Sequence, residues 1–300
     1  AMKDGAKVGT YTINPLTGEV TFTPNKDFVG TPDAVTVQVK DENGTTATAK
    51  YTPTVTAVTP TGEDATTTGK QGKVQTGTPK FTEGDAEVPL KVDADQPAKF
   101  VVNGTAVEET TVDAMKDGVK VGTYTLDSLT GEVTFTPNKD FVGTPDAVTV
   151  QVKDENGTTA TAKYTPTVTP VTPTGEDVTS TGKQGKVQTG IPKFTEGDVE
   201  VPLKVDSDQP AKFVVNGTAV DDTTIDATKD GAKVGTYTLD SLTGEVTFTP
   251  NKDFVGTPDA VTVQVKDENG KAATGKYTPT VTAVTPTGED ATSTDVQGKT

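Results

Sequence analysis

The sequence predicts an all-β protein: tandem β-sandwich domains of immunoglobulin-like architecture, joined head to tail in an extended array. Three observations predict it. Short stretches alternate apolar and polar residues, turn signals close those stretches at close intervals, and the whole pattern recurs every 113 residues. No apolar stripe of helical period is visible in the sequence.

Within the unit, Val88, Leu90 and Val92 alternate first, followed by Ala98, Phe100 and Val102. Tyr124 and Leu126 then alternate before a turn at 128–131, and Val133 and Phe135 alternate after it. In the first copy Ser128 is replaced by Pro15, which fits only where φ is near −65° and no N–H is needed, so the substitution supports the turn independently. In residues 147–153 Val148, Val150 and Val152 alternate with polar residues, as on a half-buried strand. Asp154-Glu155-Asn156-Gly157 is a hairpin turn, and the return strand places Ala160, Ala162, Tyr164 and Val168 on one face. About seven short strands in each unit point to a sandwich without the buried Trp and disulfide of antibody domains.

The repeat is the strongest signal. Gly9-Thr10-Tyr11 returns as Gly122-Thr123-Tyr124 and as Gly235-Thr236-Tyr237, and Phe28, Phe141 and Phe254 keep the same step. Residues 1–113 and 114–226 differ at only 13 positions. A unit of 113 residues is too long for a solenoid repeat and has the size of an independent domain. The expected organisation is a partial repeat at 1–61, complete repeats at 62–174 and 175–287, and at 288–300 the start of a following repeat or a linker. The boundary falls in 164–177, where Pro166, Pro170 and Pro173 favour extended backbone and a semi-rigid spacer.

Composition excludes much chemistry. The chain has no Cys, His, Trp or Arg, so its 27 cationic side chains are all Lys. No Ser-His or Cys-His pair, thiolate zinc site or iron–sulfur cluster is available. A net charge of −16 repels nucleic acid and anionic membrane surfaces. No apolar run reaches the roughly 20 residues that span a bilayer. Only 31% of residues are hydrophobic and 5% aromatic, so the core of each domain is small and built from Val, Ala and Leu.

The run 122–145, GTYTLDSLTGEVTFTPNKDFVGTP, resembles the CshA-type fibril repeat of streptococcal surface adhesins, as do VTVQVKDENG at 148–157, the stretch ending VTPTG at 171–175 and QTGIPKFTEG at 188–197. The likeness covers essentially the whole chain. It implies a cell-wall-anchored fibrillar adhesin of a Gram-positive Streptococcus, with many repeats holding an N-terminal ligand-binding region away from the cell. Repeats of that family are nearer about 100 residues, which places the extra residues in 108–120. The resemblance carries over no catalytic residue and no cofactor.

Candidate sites are few. Glu176, Asp177, Asp206 and Asp208 are calcium candidates near the junction, because tandem surface domains stiffen junctions with a cation held by six to eight oxygens; solvated acidic turns, including Asp154-Glu155-Asn156, are the simpler expectation. Lys204 and Asn216 suit an isopeptide bond only if Lys204 is buried, and alternation puts it opposite Leu203 and Val205. The pair Asp221-Asp222 becomes Glu108-Glu109 in the other copy, a change of reach that a catalytic carboxylate pair tolerates poorly. The sequons at Asn103 and Asn156 are short patterns common by chance.

These readings converge on an extracellular stalk or spacer, not an enzyme, whose partners are neighbouring repeats of the same chain, with host ligands bound by regions outside this segment. In residues 114–226, 10 Lys face 17 Asp and Glu, so like-charged neighbours repel and favour an extended chain. The rival expectation is that each repeat itself grips a host protein or glycan and multiplies affinity by avidity.

Overall fold

The computed structural model describes residues 1–298; among these, every regular element is a β-strand. The partial repeat contains β1 (Met2–Lys3), β2 (Ala6–Lys7), β3 (Gly9–Ile13), β4 (Val20–Pro24), β5 (Val35–Lys40) and β6 (Thr46–Tyr51), which form three separate two-stranded ladders. The first complete repeat contains β7 (Thr61–Glu63), β8 (Ala65–Lys70), β9 (Gln75–Gly77), β10 (Lys80–Thr82), β11 (Leu90–Lys91), β12 (Lys99–Val102), β13 (Thr105–Ala106), β14 (Thr111–Lys116), β15 (Val119–Leu126), β16 (Val133–Pro137), β17 (Val148–Asp154) and β18 (Thr159–Thr169). The second contains β19 (Thr174–Glu176), β20 (Val178–Lys183), β21 (Gln188–Gly190), β22 (Lys193–Thr195), β23 (Leu203–Lys204), β24 (Lys212–Val215), β25 (Thr218–Val220), β26 (Thr224–Lys229), β27 (Ala232–Leu239), β28 (Val246–Pro250), β29 (Val261–Asp267) and β30 (Ala272–Thr282).

Each complete repeat is a sandwich. In the first, one sheet runs β13-β12-β17-β18-β8, with β11 also on β17, and the other runs β14-β15-β16-β9. The second repeat has the same order, β20-β30-β29-β24-β25 with β23 on β29, against β21-β28-β27-β26. The period-two pattern produces this directly. On β17 Val148, Val150 and Val152 are buried, and their register partners on β18 are Tyr164, Ala162 and Ala160, all buried as well. Facing them, β15 and β16 contribute Tyr124, Leu126, Val133 and Phe135. Tyr124 packs 5.3 Å from the Phe135 ring on its own sheet and 6.2 Å, edge-on, from Tyr164 on the other. Four buried aromatics, Phe100, Tyr124, Phe135 and Tyr164, make up for the small number of apolar residues, because each covers far more area than a Val.

The partial repeat shows how much the preceding strands contribute. Leu126, Val152 and Tyr164 are 4%, 2% and 0% exposed, whereas their counterparts Ile13, Val39 and Tyr51 are 51%, 59% and 37% exposed. Residues 1–55 have no strands equivalent to β8–β13 to cover them.

Four details depart from the sequence reading. The expected seven strands become twelve, because β7–β10, β13 and β14 are strands that the alternation did not mark; of the Val88-Leu90-Val92 run only β11 is a strand, and Val88 makes an isolated bridge to Asp85. Val102 is 38% exposed, since it stands at the end of β12 where the chain reverses through Asn103 (φ 52°) and Gly104 (φ 80°), the two positive angles that a tight hairpin of this hand requires. Residues 108–120 are not a surplus loop: they hold all of β14, whose Ala114 is fully buried, and a second such hairpin at Asp117 (φ 50°) and Gly118 (φ 79°). Finally, of the two readings of residues 164–169, return strand and spacer, the strand is the one that forms: they are the end of β18, with Tyr164 and Val168 in the core.

Candidate functional site

The two ends of each repeat meet inside it. In the first complete repeat β8 lies beside β18. Thr67 Oγ1 donates to Gln75 Oε1 at 2.7 Å, which leaves the Tyr164 hydroxyl, 2.7 Å from the same Thr67 oxygen, to donate to it. Gln75 Nε2 donates to the Thr167 carbonyl at 3.1 Å, Thr169 Oγ1 donates to the Gly69 carbonyl at 3.0 Å, and Asp64 Oδ1 accepts the Lys163 N–H at 2.7 Å. The second repeat rebuilds this network with Ser180, Gln188, Tyr277, Thr280, Thr282, Gly182, Asp177 and Lys276. The change of Thr67 to Ser180 between copies keeps the hydroxyl and drops a methyl group, as expected where the oxygen matters. Sequence reasoning missed this cluster. Thr67 and Gln75 stand on different strands, and their Tyr lies 97 residues from Thr67, so no local pattern marked them.

A second feature lies at the hairpin predicted from Asp-Glu-Asn-Gly. Asp154 is fully buried, contrary to the expectation of a solvated acidic turn. Its Oδ1 accepts the N–H groups of Asn156 and Thr158 at 2.9 and 2.8 Å, so the side chain folds back over its own turn. The Asp267 Oδ1 likewise accepts the Lys271 N–H at 2.8 Å. Period two continues through the end of β17 and aims Asp154 at the core side with Val152.

The other sequence candidates are dispersed. Glu176 ends β19 in an exposed position, and Asp177 takes the Lys276 N–H. Asp206 Oδ1 accepts the N–H groups of Asp208 and Gln209, each at 2.9 Å, and these bonds, Gln209 first, hold its carboxyl below the usual carboxylate range. Among the described residues no three acidic, His or Cys side chains gather as a metal site would need. Lys204 is exposed on β23, and Asn216 is exposed in a hairpin turn at φ 51°. Asp221 pairs with Lys212 at 2.6 Å, and that Lys lowers its pKa; Glu108 pairs with Lys99 in the other copy.

One open groove of about 630 Å³ lies on the first complete repeat, lined by Val101, Val102, Val112, Met115, Tyr124 and Val148 among others.

Compared with known sequence families, residues 2–55, 57–168 and 170–281 each match the surface adhesin CshA repetitive domain. The chain belongs to this family. These CshA repeats therefore come from the extracellular surface, where such adhesins act. No curated protein matches the sequence closely. Similar solved structures are tandem β-domain proteins. Protocadherin gamma B7 extracellular cadherin domains 1–4 share 12% identity over 91% of this chain and 64% of theirs, with a TM-score of 0.33. Mouse cadherin-23 EC22-24 shares 12% over 91% and 82%, also at 0.33, and the titin I9-I11 tandem shares 14% over 84% and 75%, at 0.32.

Proposed function

We propose that these CshA repeats are length-giving spacers of a cell-wall-anchored streptococcal fibrillar adhesin, holding a ligand-binding region that lies outside this segment away from the cell, and that they are not enzymes. The observation that carries this reading is where the recognition-capable side chains go. Phe100, Tyr124, Phe135 and Tyr164, and their counterparts Phe213, Tyr237, Phe248 and Tyr277, are all buried in the repeat's own core. The aromatic anchors that dominate binding surfaces are thus spent on internal packing.

The groove gives the rival reading its one specific support, an exposed apolar concavity. Avidity, however, requires the same lining in successive copies, and Met115 is Thr228 in the next repeat, so the groove loses an apolar member. The remaining surface carries excess negative charge, which favours separation of neighbours.

Small-angle X-ray scattering on chains with increasing numbers of complete repeats, in calcium and in EDTA, tests the spacer. The maximum dimension is expected to grow by about 35–45 Å per repeat in both buffers. A dimension that stays flat overturns the spacer reading, and one that collapses in EDTA restores the acidic junction residues as cation ligands.

A further inference from the structure

In the second complete repeat the strand that follows the entering chain and the strand that precedes the exit are neighbours and run parallel. The register pairs Val178 with Tyr277, Thr179 with Thr278, Ser180 with Pro279, Thr181 with Thr280, Gly182 with Val281 and Lys183 with Thr282. After the short β19, itself paired with β22, the chain reaches this pair at Val178, beside the start of the paired segment of β30, and leaves at Thr282, beside the end of β20. Tension on the two ends therefore pulls the strands in opposite directions along their length. All six pairs resist together, whereas tension on two adjacent strand ends opens pairs one after another.

This parallel pair has a weak point that side chains reinforce. Pro279 has no N–H to give to a ladder. Around it, Ser180 Oγ lies 2.6 Å from the Tyr277 hydroxyl and donates to Gln188 Oε1 at 2.6 Å, and Gln188 Nε2 donates to the Thr280 carbonyl at 3.1 Å. Beyond it, Thr282 Oγ1 donates to the Gly182 carbonyl at 3.1 Å and the Gln184 N–H donates to the Thr282 carbonyl at 2.8 Å. Gln188 lies on the second sheet, so this network also fastens the strand pair to the opposite layer. The first complete repeat carries the corresponding side-chain bonds through Thr67, Gln75, Tyr164 and Thr169.

We infer that each complete repeat is built to carry tension: its first long strand and its last form a shear clamp, locked by the hydroxyl–Tyr–Gln network, that keeps the domain folded under tension along the chain. This deepens the spacer reading, on which it rests only in that tension reaches each repeat through its ends.

The full chain, pulled by its two ends in a single-molecule force experiment, tests this. The two complete repeats are expected to give two long unfolding events, each releasing roughly 350 Å at ~3.4 Å per residue. Ser180→Ala is expected to move one event to clearly lower force and leave the other, held by Thr67 and Tyr164, in place as an internal reference. Val263→Ala, in the core on β29, serves as the comparison: it is expected to lower the melting temperature at least as much as Ser180→Ala while lowering the force less. A second geometry leaves the clamp residues unchanged. The chain has no Cys, so a thiol handle at Lys186→Cys and one at the C-terminal end apply tension to adjacent strand ends, and the repeat is expected to open at lower force. Equal forces in the two geometries, or a Ser180→Ala event that stays with its reference, overturn the clamp. Scattering that shows no growth per repeat refutes the spacer and leaves this force comparison untouched.

Discussion

The Thr67 hydroxyl and the Tyr164 hydroxyl lie 2.7 Å apart although 97 residues separate them in sequence. This bond joins the beginning of the repeat to its end, and Gln75 Oε1 accepts from the same Thr67 oxygen. Thr67→Val removes the hydroxyl and keeps the shape, leaving two polar atoms without a partner in a half-buried setting. The expected loss is about 1–3 kcal/mol, while Thr67→Ser, which installs the residue of the next copy, is expected to be nearly neutral. Chemical denaturation of the two variants checks both.

Gly77 on β9 faces the same ring. A Cβ built there would lie 2.2 Å from Tyr164 Cε2, and one at Gly190 would lie 2.4 Å from the Tyr277 ring. These rings are fully buried and cannot swing aside. Gly77→Ala is expected to cost about 1–3 kcal/mol through overpacking and to lower the melting temperature of its own repeat. A melting curve matching the parent would show that the ring moves freely.

Asp154 supports the hairpin from inside. Asp154→Ala strands the N–H groups of Asn156 and Thr158, with an expected loss of about 1–3 kcal/mol. Faster amide hydrogen exchange at Asn156 and Thr158 is expected with it, and unchanged exchange there would contradict the role given to Oδ1.

Alkaline stability follows from the tyrosines. Burial raises the pKa of Tyr124, with smaller contributions from Tyr164 and Asp146, and burial likewise raises Tyr164 against the opposing Thr67 hydrogen bond. A folded-state pKa above the unfolded value of ~10 favours the folded state fully below that pH and less as pH rises above it. Tyrosinate absorbance is therefore expected to appear together with loss of β circular dichroism above pH ~10. Tyr124→Phe, which also removes the bond to the Asp146 carbonyl, is expected to weaken that pH dependence.

The strands that pack the core were legible because period two is written in the residues: Val148, Val150 and Val152 read as one buried face and are one. The tight hairpins were equally present in the letters Asn103-Gly104 and Asp117-Gly118. Taking the first as a sequon only and placing the second in a supposed insertion hid β14. Val102 misled because alternation says nothing about where a sheet stops.

The sequence by itself determined the repeat, the all-β class, the inward face of the main strands and the exclusion of thiol and imidazole chemistry, because these depend on residue identity and local spacing. Only the tertiary structure decided between return strand and spacer for residues 164–169, that Asp154 is buried, and that Thr67, Gln75 and Tyr164 meet. The reason is physical. A parallel pairing of first and last strands is set by contacts about 100 residues apart, and a hydroxyl residue or a Gln carries no mark of whether its partner is water or a tyrosine on a distant strand.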